Sequence, residues 1–204
     1  MQQIVLASGN QGKLKEFNSL LGDMHIEVIP QSQFGFAEAI EDGLSFVENA
    51  IIKARHACLH TGLPALADDS GLEVDALNGA PGIYSARYSD DVTAGKATDD
   101  SNNDKLLSAL TDVADGHRSA RFHCVLVYMR HHQDPTPLIY HASWEGTIGR
   151  QRHGAQGFGY DPIFWLAEHN CTSAELPRDL KNTISHRAQA LQQLVPALKA
   201  RLSP

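Results

Sequence analysis

The amino-acid sequence predicts an α/β fold built on a mixed β-sheet, and three observations carry that expectation. An apolar strand, an amphipathic helix and a second apolar strand follow one another before residue 30. Two long strand-like runs with a polar turn between them occupy residues 120–148. A stripe of apolar residues at helical spacing closes the chain. A β-α-β opening demands a parallel pair and a tight hairpin an antiparallel one, so a sheet of single sense cannot hold both.

Gln3 to Ser8 is the first predicted strand, with Ile4, Val5 and Leu6 as its apolar run and Gly9 as its end. Leu14, Phe17, Leu20 and Leu21 then fall on one stripe of a helix that Gly22 stops. His25 to Ile29 is the second strand, and the polar, acidic stretch 30–43, broken by Gly35 and Gly43, reads as a loop. Ser45-x-x-Glu48 has the form of a capping box. It opens a helix with Phe46, Val47, Ile51, Ala54 and Cys58 on one face, ended by Gly62.

Pro64 to Ala67 predicts a buried strand that runs into Asp68-Asp69-Ser70-Gly71. Asn78 to Gly82 is rich in turn formers, and residues 90–103 read as an exposed acidic connection into a short helix from Lys105 to Leu110. Ala120–Arg130 and Leu138–Ile148 make the hairpin around Gln133-Asp134-Pro135. A glycine-rich stretch, 149–162, follows. The last helix spans Ile184 to Leu202, and Pro196 is expected to kink or divide it.

The 204 residues suit one domain, 1–204, with the hairpin reaching into a second lobe and a cleft between the lobes. Seventeen Lys and Arg against 24 Asp and Glu give a net charge of −7, which argues against a nucleic-acid coat or a membrane-surface helix. No apolar run approaches the roughly 18 residues of a membrane span. Cys58, Cys124 and Cys171 are scattered and form no Cys-x-x-Cys pair, so a disulfide framework is not expected. The first residues have neither a basic region nor a signal-length apolar stretch, and the expected location is the cytoplasm.

Five segments carry candidate chemistry. Ser8-Gly9-Asn10-Gln11-Gly12-Lys13 stands between a strand and a helix, where backbone N–H groups and a lysine can cradle phosphate. It is not a Walker A loop, because the first glycine is two residues too close and Leu14 replaces the Ser/Thr that would meet magnesium. An ordinary βα turn would read the same. Asp68-Asp69-Ser70-Gly71, with Glu41, Asp42 and Glu48 upstream, offers an oxygen-only set suited to Mg²⁺; a solvated Asp-Asp turn is the competing reading. Lys53 lies five residues after Glu48 and so about 140° around the helix. It gains meaning only if its edge faces a site.

Gly157-Phe158-Gly159-Tyr160-Asp161-Pro162 exposes an aromatic ring between glycines, as a stacking platform needs, and Asp161 can accept an N–H. Packing of the same loop on the hairpin is the alternative. Lys181 and Ser185-His186-Arg187 gather donors at the start of the last helix, where the helix dipole mildly disfavours positive charge.

In this order the segments resemble the inosine triphosphate pyrophosphatase family, the Ham1-type non-canonical purine nucleoside triphosphate pyrophosphatases, in its bacterial branch. The matching stretches also include Asn49-Ala50-x-x-Lys53-Ala54 and Gly79-Ala80-Pro81-Gly82-x-Tyr84-Ser85-Ala86-Arg87-Tyr88, and together they span essentially the whole chain. Ala188 stands where a glycine often follows Ser-His-Arg. The resemblance implies an elongated two-lobed homodimer with a nucleotide cleft, which hydrolyses ITP, dITP and XTP to the monophosphate and pyrophosphate with Mg²⁺. By resemblance, residues 8–13 hold the triphosphate, Glu41 and Asp69 are metal-linked, and Asp69 is the proton acceptor, with Lys53 and Asp68 catalytic beside it. Ser70, Phe158, Gly159, Tyr160, Asp161, Lys181, His186 and Arg187 contact the nucleotide. A pyrimidine-directed pyrophosphatase of the Maf type and a non-catalytic nucleotide sensor are the rival readings.

Overall fold

The computed structural model describes residues 2–9, 13–14, 17–18, 26–93 and 95–202. The expectations for Asn10, Gln11, Gly12, Leu20, Leu21, Gly22 and His25 lie outside these residues. Strands β1 (Gln2–Leu6) and β2 (Ile26–Pro30) pair in parallel, Ile4 opposite Val28. Lys13, Leu14, Phe17 and Asn18, between them in sequence, are helical. Helix α1 (Phe46–Thr61) leads to β3 (Ala65–Val74), which is parallel to β1 through Val5 and Ala65.

A two-residue strand β4 (Pro81–Gly82) lies antiparallel on the far end of β3. Helix α2 (Asp99–Ala109) precedes β5 (Ser119–Met129) and β6 (Leu138–Ile148), neighbours joined by a connection too short for a parallel crossover. Two short strands follow, β7 (Phe164–Leu166) on β6 and β8 (Cys171–Thr172) on β7, both antiparallel. Helices α3 (Arg178–Ile184) and α4 (His186–Leu202) end the chain. Among the described residues the sheet runs β2-β1-β3-β5-β6-β7-β8, and its mixed sense is the predicted one.

The chain divides into two compact units. The first comprises Met1–Asp69, Cys124–Ala142 and Arg187–Pro204, and the second Ser70–His123 and Ser143–His186. The boundaries fall inside β3, β5 and β6 and after the first residue of α4. Each unit has its own core. In the first, Ile4, Leu6, Leu66, Leu126 and Tyr128 from the strands pack with Leu191, Leu194 and Leu198 of α4. In the second, Leu72, Val74, Phe122, Trp144 and Phe164 pack with Leu106 of α2 and with Leu110, its C-cap. Each such side chain contributes about 1.5–3 kcal/mol on burial, so both units hold a substantial apolar core. Among the described residues no helix is long and apolar enough to cross a membrane.

Three expectations need correction. The strand meeting Asp68 does not end there: β3 continues through Asp69, Ser70 and Gly71 to Val74, because paired cations let the carboxylates stay inside the pleat. Helix α2 begins at Asp99, inside the supposed linker. Thr98 and Ser101 form a reciprocal cap, Asp99 and Asp100 suit the helix N-terminus, and Asn102 and Asn103 are buried. Helix α4 is not divided at Pro196, which sits on an exposed face while Leu191, Leu194 and Leu198 anchor the opposite one. The Ser45 cap is present: its Oγ accepts from Glu48 N at 3.4 Å, and Glu48 Oε2 accepts from Leu44 N at 3.0 Å.

The β5–β6 connection is closed by Asp134, 3 % exposed. Its carboxylate accepts from Arg130 N and Nε at 3.0 and 2.9 Å, from Arg130 Nη2 at 2.5 Å and from Thr136 N at 3.0 Å. The Arg130 side chain holds its carboxyl well below the usual 3.8, despite burial. With the folded value depressed, this stability is complete above the unfolded value and lost as pH falls through the folded one. Asp134→Asn is expected to cost about 1–3 kcal/mol near pH 7. In urea titrations the gap to wild type should narrow from about pH 5 to about pH 2. A gap independent of pH would show that charge plays no part.

Candidate active site

The first unit gathers the acidic and basic groups that sequence placed far apart. Asp68 and Asp69 are consecutive on β3, and alternation along the strand sends their side chains to opposite faces. Both are buried, at 1 % and 8 % exposure. Asp68 Oδ1 takes Lys13 Nζ at 2.5 Å, and Asp68 Oδ2 takes Arg187 Nε at 2.6 Å, with Cys124 Sγ at 3.7 Å. Asp69 Oδ1 takes Lys53 Nζ, whose other carboxylate contact is Glu41 Oε2 at 3.2 Å. Three carboxylates thus meet three cations, which is how adjacent aspartates persist away from water.

Electrostatics separate the two aspartates. Burial alone would raise both. Arg187 and Lys13 nevertheless hold the Asp68 carboxyl well below the usual 3.8, so it is a fixed anion. Burial lifts Asp69 to about 6 against the pull of Lys53, and Glu41 adds to the rise. Burial opposes the charge on Lys53, but Asp69 and Glu41 raise its pKa overall. Of the two, Asp69 is therefore the carboxylate fitted to accept a proton near neutrality.

Glu41 reaches this cluster on a tethered loop. Gly43 N donates to Asn49 Oδ1 at 2.9 Å, and His56 Nε2 contacts Ala37 O at 2.8 Å. A Cβ on Gly43 would stand 2.7 Å from Asn49 Oδ1 and from Glu48 Cβ, so glycine there permits the loop to lie on α1. Ser8 and Gly9 follow β1 after Ala7, and Lys13 is the described end of the phosphate-cradle segment. Glu41 and Asp69 are the residues that could hold a hard cation. Among the described residues no group of three or more metal-capable side chains forms. Two oxygen donors suffice for Mg²⁺ where phosphates complete its shell, so the donor chemistry fits.

The second unit holds the aromatic loop. Phe158 is 42 % exposed, and Lys181 Nζ lies 5.8 Å from its ring centroid. Asp161 is buried beneath it; its Oδ2 accepts from Phe158 N at 2.9 Å and from Lys181 Nζ, and its Oδ1 from Ser173 Oγ at 2.7 Å. Gly157 has φ +81°, and a Cβ there would overlap Asp161 Oδ2 and approach Lys181 Nζ to 2.9 Å. Only glycine fits. The Tyr160 ring belongs to the core, its hydroxyl donating to Ser85 O at 2.7 Å. Ser70 is half-buried on β3 in this unit.

His186 is buried and stacked on Phe122, centroids 4.9 Å apart and planes 14° apart, with Trp144 at 6.3 Å. It ends the second unit, and Arg187, next in sequence, belongs to the first. Sequence reasoning missed Ser173, Asp99 and Asn103. Asp99 Oδ2 accepts from Gly159 N at 2.7 Å, and Asn103 Nδ2 donates to Gly159 O at 2.8 Å. The overlooked signal was the Thr98–Ser101 cap, which marks a helix start in the supposed linker.

The chain is similar over nearly its whole length to known proteins. The sequence model of the Ham1 family matches residues 4–197. A dITP/XTP pyrophosphatase of Vibrio cholerae is 60 % identical over 200 residues, 98 % of each chain. One from Salmonella typhimurium is 58 % identical over 199 residues, covering 98 % of this chain and 99 % of the other. Among solved structures, a Ham1 protein from Coxiella burnetii superposes with TM-score 0.90 at 54 % identity, covering 98 % of this chain and all of the other. The Staphylococcus aureus Ham1 protein gives 0.86 at 38 % identity, with 98 % and 100 % covered.

Proposed function

Since this chain belongs to the Ham1 family, we propose that it is a Mg²⁺-dependent nucleoside triphosphate pyrophosphatase. Its substrates are ITP, dITP and XTP, and its products are the nucleoside monophosphate and pyrophosphate. The observation that carries this reading is Lys53 held between Asp69 and Glu41, beside an Asp68 fixed by Lys13 and Arg187. A non-catalytic sensor has no need of a buried carboxylate raised toward neutrality.

In the reaction, water oxygen bonds to the α-phosphorus, the bond from that phosphorus to the α–β bridging oxygen breaks, and pyrophosphate leaves. Asp69 accepts the water proton. Lys53 orients Asp69 and balances Glu41. Lys13 sits where the phosphate-cradle segment meets β3, and its charge counters that of the phosphates. Glu41 and Asp69 would hold Mg²⁺, which when bound would supply Lewis-acid polarisation of the phosphoryl oxygens and of the attacking water.

Purine selection is assigned to the second unit. Hypoxanthine and xanthine carry a 6-oxo acceptor and an N1–H donor, and adenine reverses both. Phe158 supplies a stacking face, Lys181 a donor for the 6-oxo group and Asp161 an acceptor. Adenine would turn a donor toward Lys181 and an acceptor toward Asp161, a mismatch that discriminates by orders of magnitude. A homodimer in the cytoplasm remains part of this proposal, on family resemblance.

The test is pyrophosphate release from ITP, dITP, XTP, ATP and modified pyrimidine triphosphates. Release is expected from the first three, to stop with EDTA and to return with added Mg²⁺. Preference for modified pyrimidines would favour a Maf-type activity. Tight ITP binding without release would favour the sensor.

A further inference from the structure

We propose that Asp99 is a positioning residue for purine recognition: from the first turn of α2 it grips the backbone of Gly159 and so fixes the Phe158 ring as a stacking face. The proposal rests on the functional reading above and deepens its account of the base site.

The loop that presents Phe158 is poorly suited to hold itself still. Glycines flank the ring on both sides, with φ +81° at Gly157 and +62° at Gly159. Such residues lose the most backbone freedom on ordering. A 42 % exposed phenylalanine on a glycine loop would otherwise be ordered by its ligand, at the ligand's expense in affinity. Two carboxylates prevent this, one on each of the two amides that flank the Phe158 Cα. Asp161 accepts from Phe158 N at 2.9 Å, and Asp99 accepts from the next amide, Gly159 N, at 2.7 Å.

Asn103 completes the grip one helical turn along α2. Its Nδ2 donates to Gly159 O and to Asp99 O, both at 2.8 Å. Both polar backbone groups of Gly159 are thereby held by one helix. Asn103 is 1 % exposed, and its Oδ1 has no partner among the described residues. A buried amide with one unmet acceptor is a costly way to fill space. The donor it retains is the one on Gly159. Asp99 itself is exposed, so the core does not depend on it and its substitution is compatible with folding.

The experiment uses inosine monophosphate as probe, without metal, and reads two quantities. Asp99→Ala should weaken binding about fivefold, the expected loss for one charge-assisted backbone contact at an exposed site. It should also speed amide hydrogen exchange in segment 155–161. Asp99→Asn keeps an acceptor oxygen, and should restore both to near wild type. In turnover of ITP, Asp99→Ala should raise KM and leave kcat within about twofold, because the reacting phosphate is handled elsewhere. Wild-type binding by Asp99→Ala, or unchanged exchange in the loop, would overturn the proposal. So would equal losses in Asp99→Ala and Asp99→Asn. A wild-type protein that binds inosine monophosphate but releases no pyrophosphate from ITP would sink the catalytic reading and leave the positioning role standing.

Discussion

Asp69→Asn is expected to lower kcat for ITP by about two to four orders of magnitude, with KM changed only severalfold. The substitution keeps the size and shape of the side chain but removes the proton acceptor. In the folded chain, Asp69 is 8 % exposed and burial lifts it to about 6, whereas its neighbour Asp68 is held as a permanent anion. Base strength is therefore concentrated in one of two adjacent carboxylates. An aspartate near its ordinary value of 3.8 would leave almost all the activation to the metal. In the metal-free chain Asp69 is thus the more basic of the two carboxylates, and a bound cation would supply the rest of the activation.

The same variant also disturbs Lys53. An asparagine can turn an amide N–H toward Nζ, leaving Glu41 as the remaining carboxylate partner at 3.2 Å. Lys53→Met separates the two effects. It removes the cation but keeps the Asp69 base, so it should lower kcat less than Asp69→Asn does. Steady-state pyrophosphate release at saturating Mg²⁺ checks both. Wild-type kcat in Asp69→Asn would show that the water loses its proton elsewhere.

Much of this site was legible because local patterns carried it. The cap at Ser45, the glycine stop at Gly62 and the apolar stripe between them define α1, and with it the position of Lys53. The exposed ring of Phe158 followed from glycines on either side of it. What was not legible was pairing at a distance. Asp68-Asp69 looks like a solvated turn until Lys13, Lys53 and Arg187 are brought to it, across separations of 55, 16 and 119 residues. No window of sequence contains that information. The start of α2 failed for a different reason: a run of Asp, Ser and Asn is what loops are made of, yet here Asn102 serves the fold from inside. Its Oδ1 accepts from Ser89 N and Oγ at 2.8 and 2.9 Å.

Arg118→Met is expected to destabilise the protein by about 2–4 kcal/mol, a large effect for a residue far in sequence from every motif. Arg118 is 2 % exposed, and its hydrogen bonds go to backbone carbonyls. Nε donates to Ile148 O at 2.8 Å, Nη1 to Leu110 O at 2.6 Å and Val113 O at 3.4 Å, and Nη2 to Gly149 O at 2.8 Å. One planar guanidinium thus joins the C-terminal end of α2 to the end of β6. Two terms oppose each other in the variant. Methionine recovers the desolvation penalty of a buried cation, the same burial that lowers the Arg118 pKa. Against this, Ile148 O and Gly149 O each lose a bond of 2.8 Å and Leu110 O keeps only the one from Val113 N at 3.1 Å, at about 1–3 kcal/mol each where water cannot replace the lost donor. The second term is the larger, so the sign is destabilising. Arg118→Lys should fall between, because an ammonium offers three donors from one point and cannot reproduce the fork. The consequence extends to the site, since α2 also carries Asp99 and Asn103. A variant that stays folded but loosens this junction should show faster amide exchange around Gly159, although Arg118 does not bond to that loop. Equal urea midpoints for wild type and Arg118→Met would mean that Leu106 and Leu110 alone hold α2 in place.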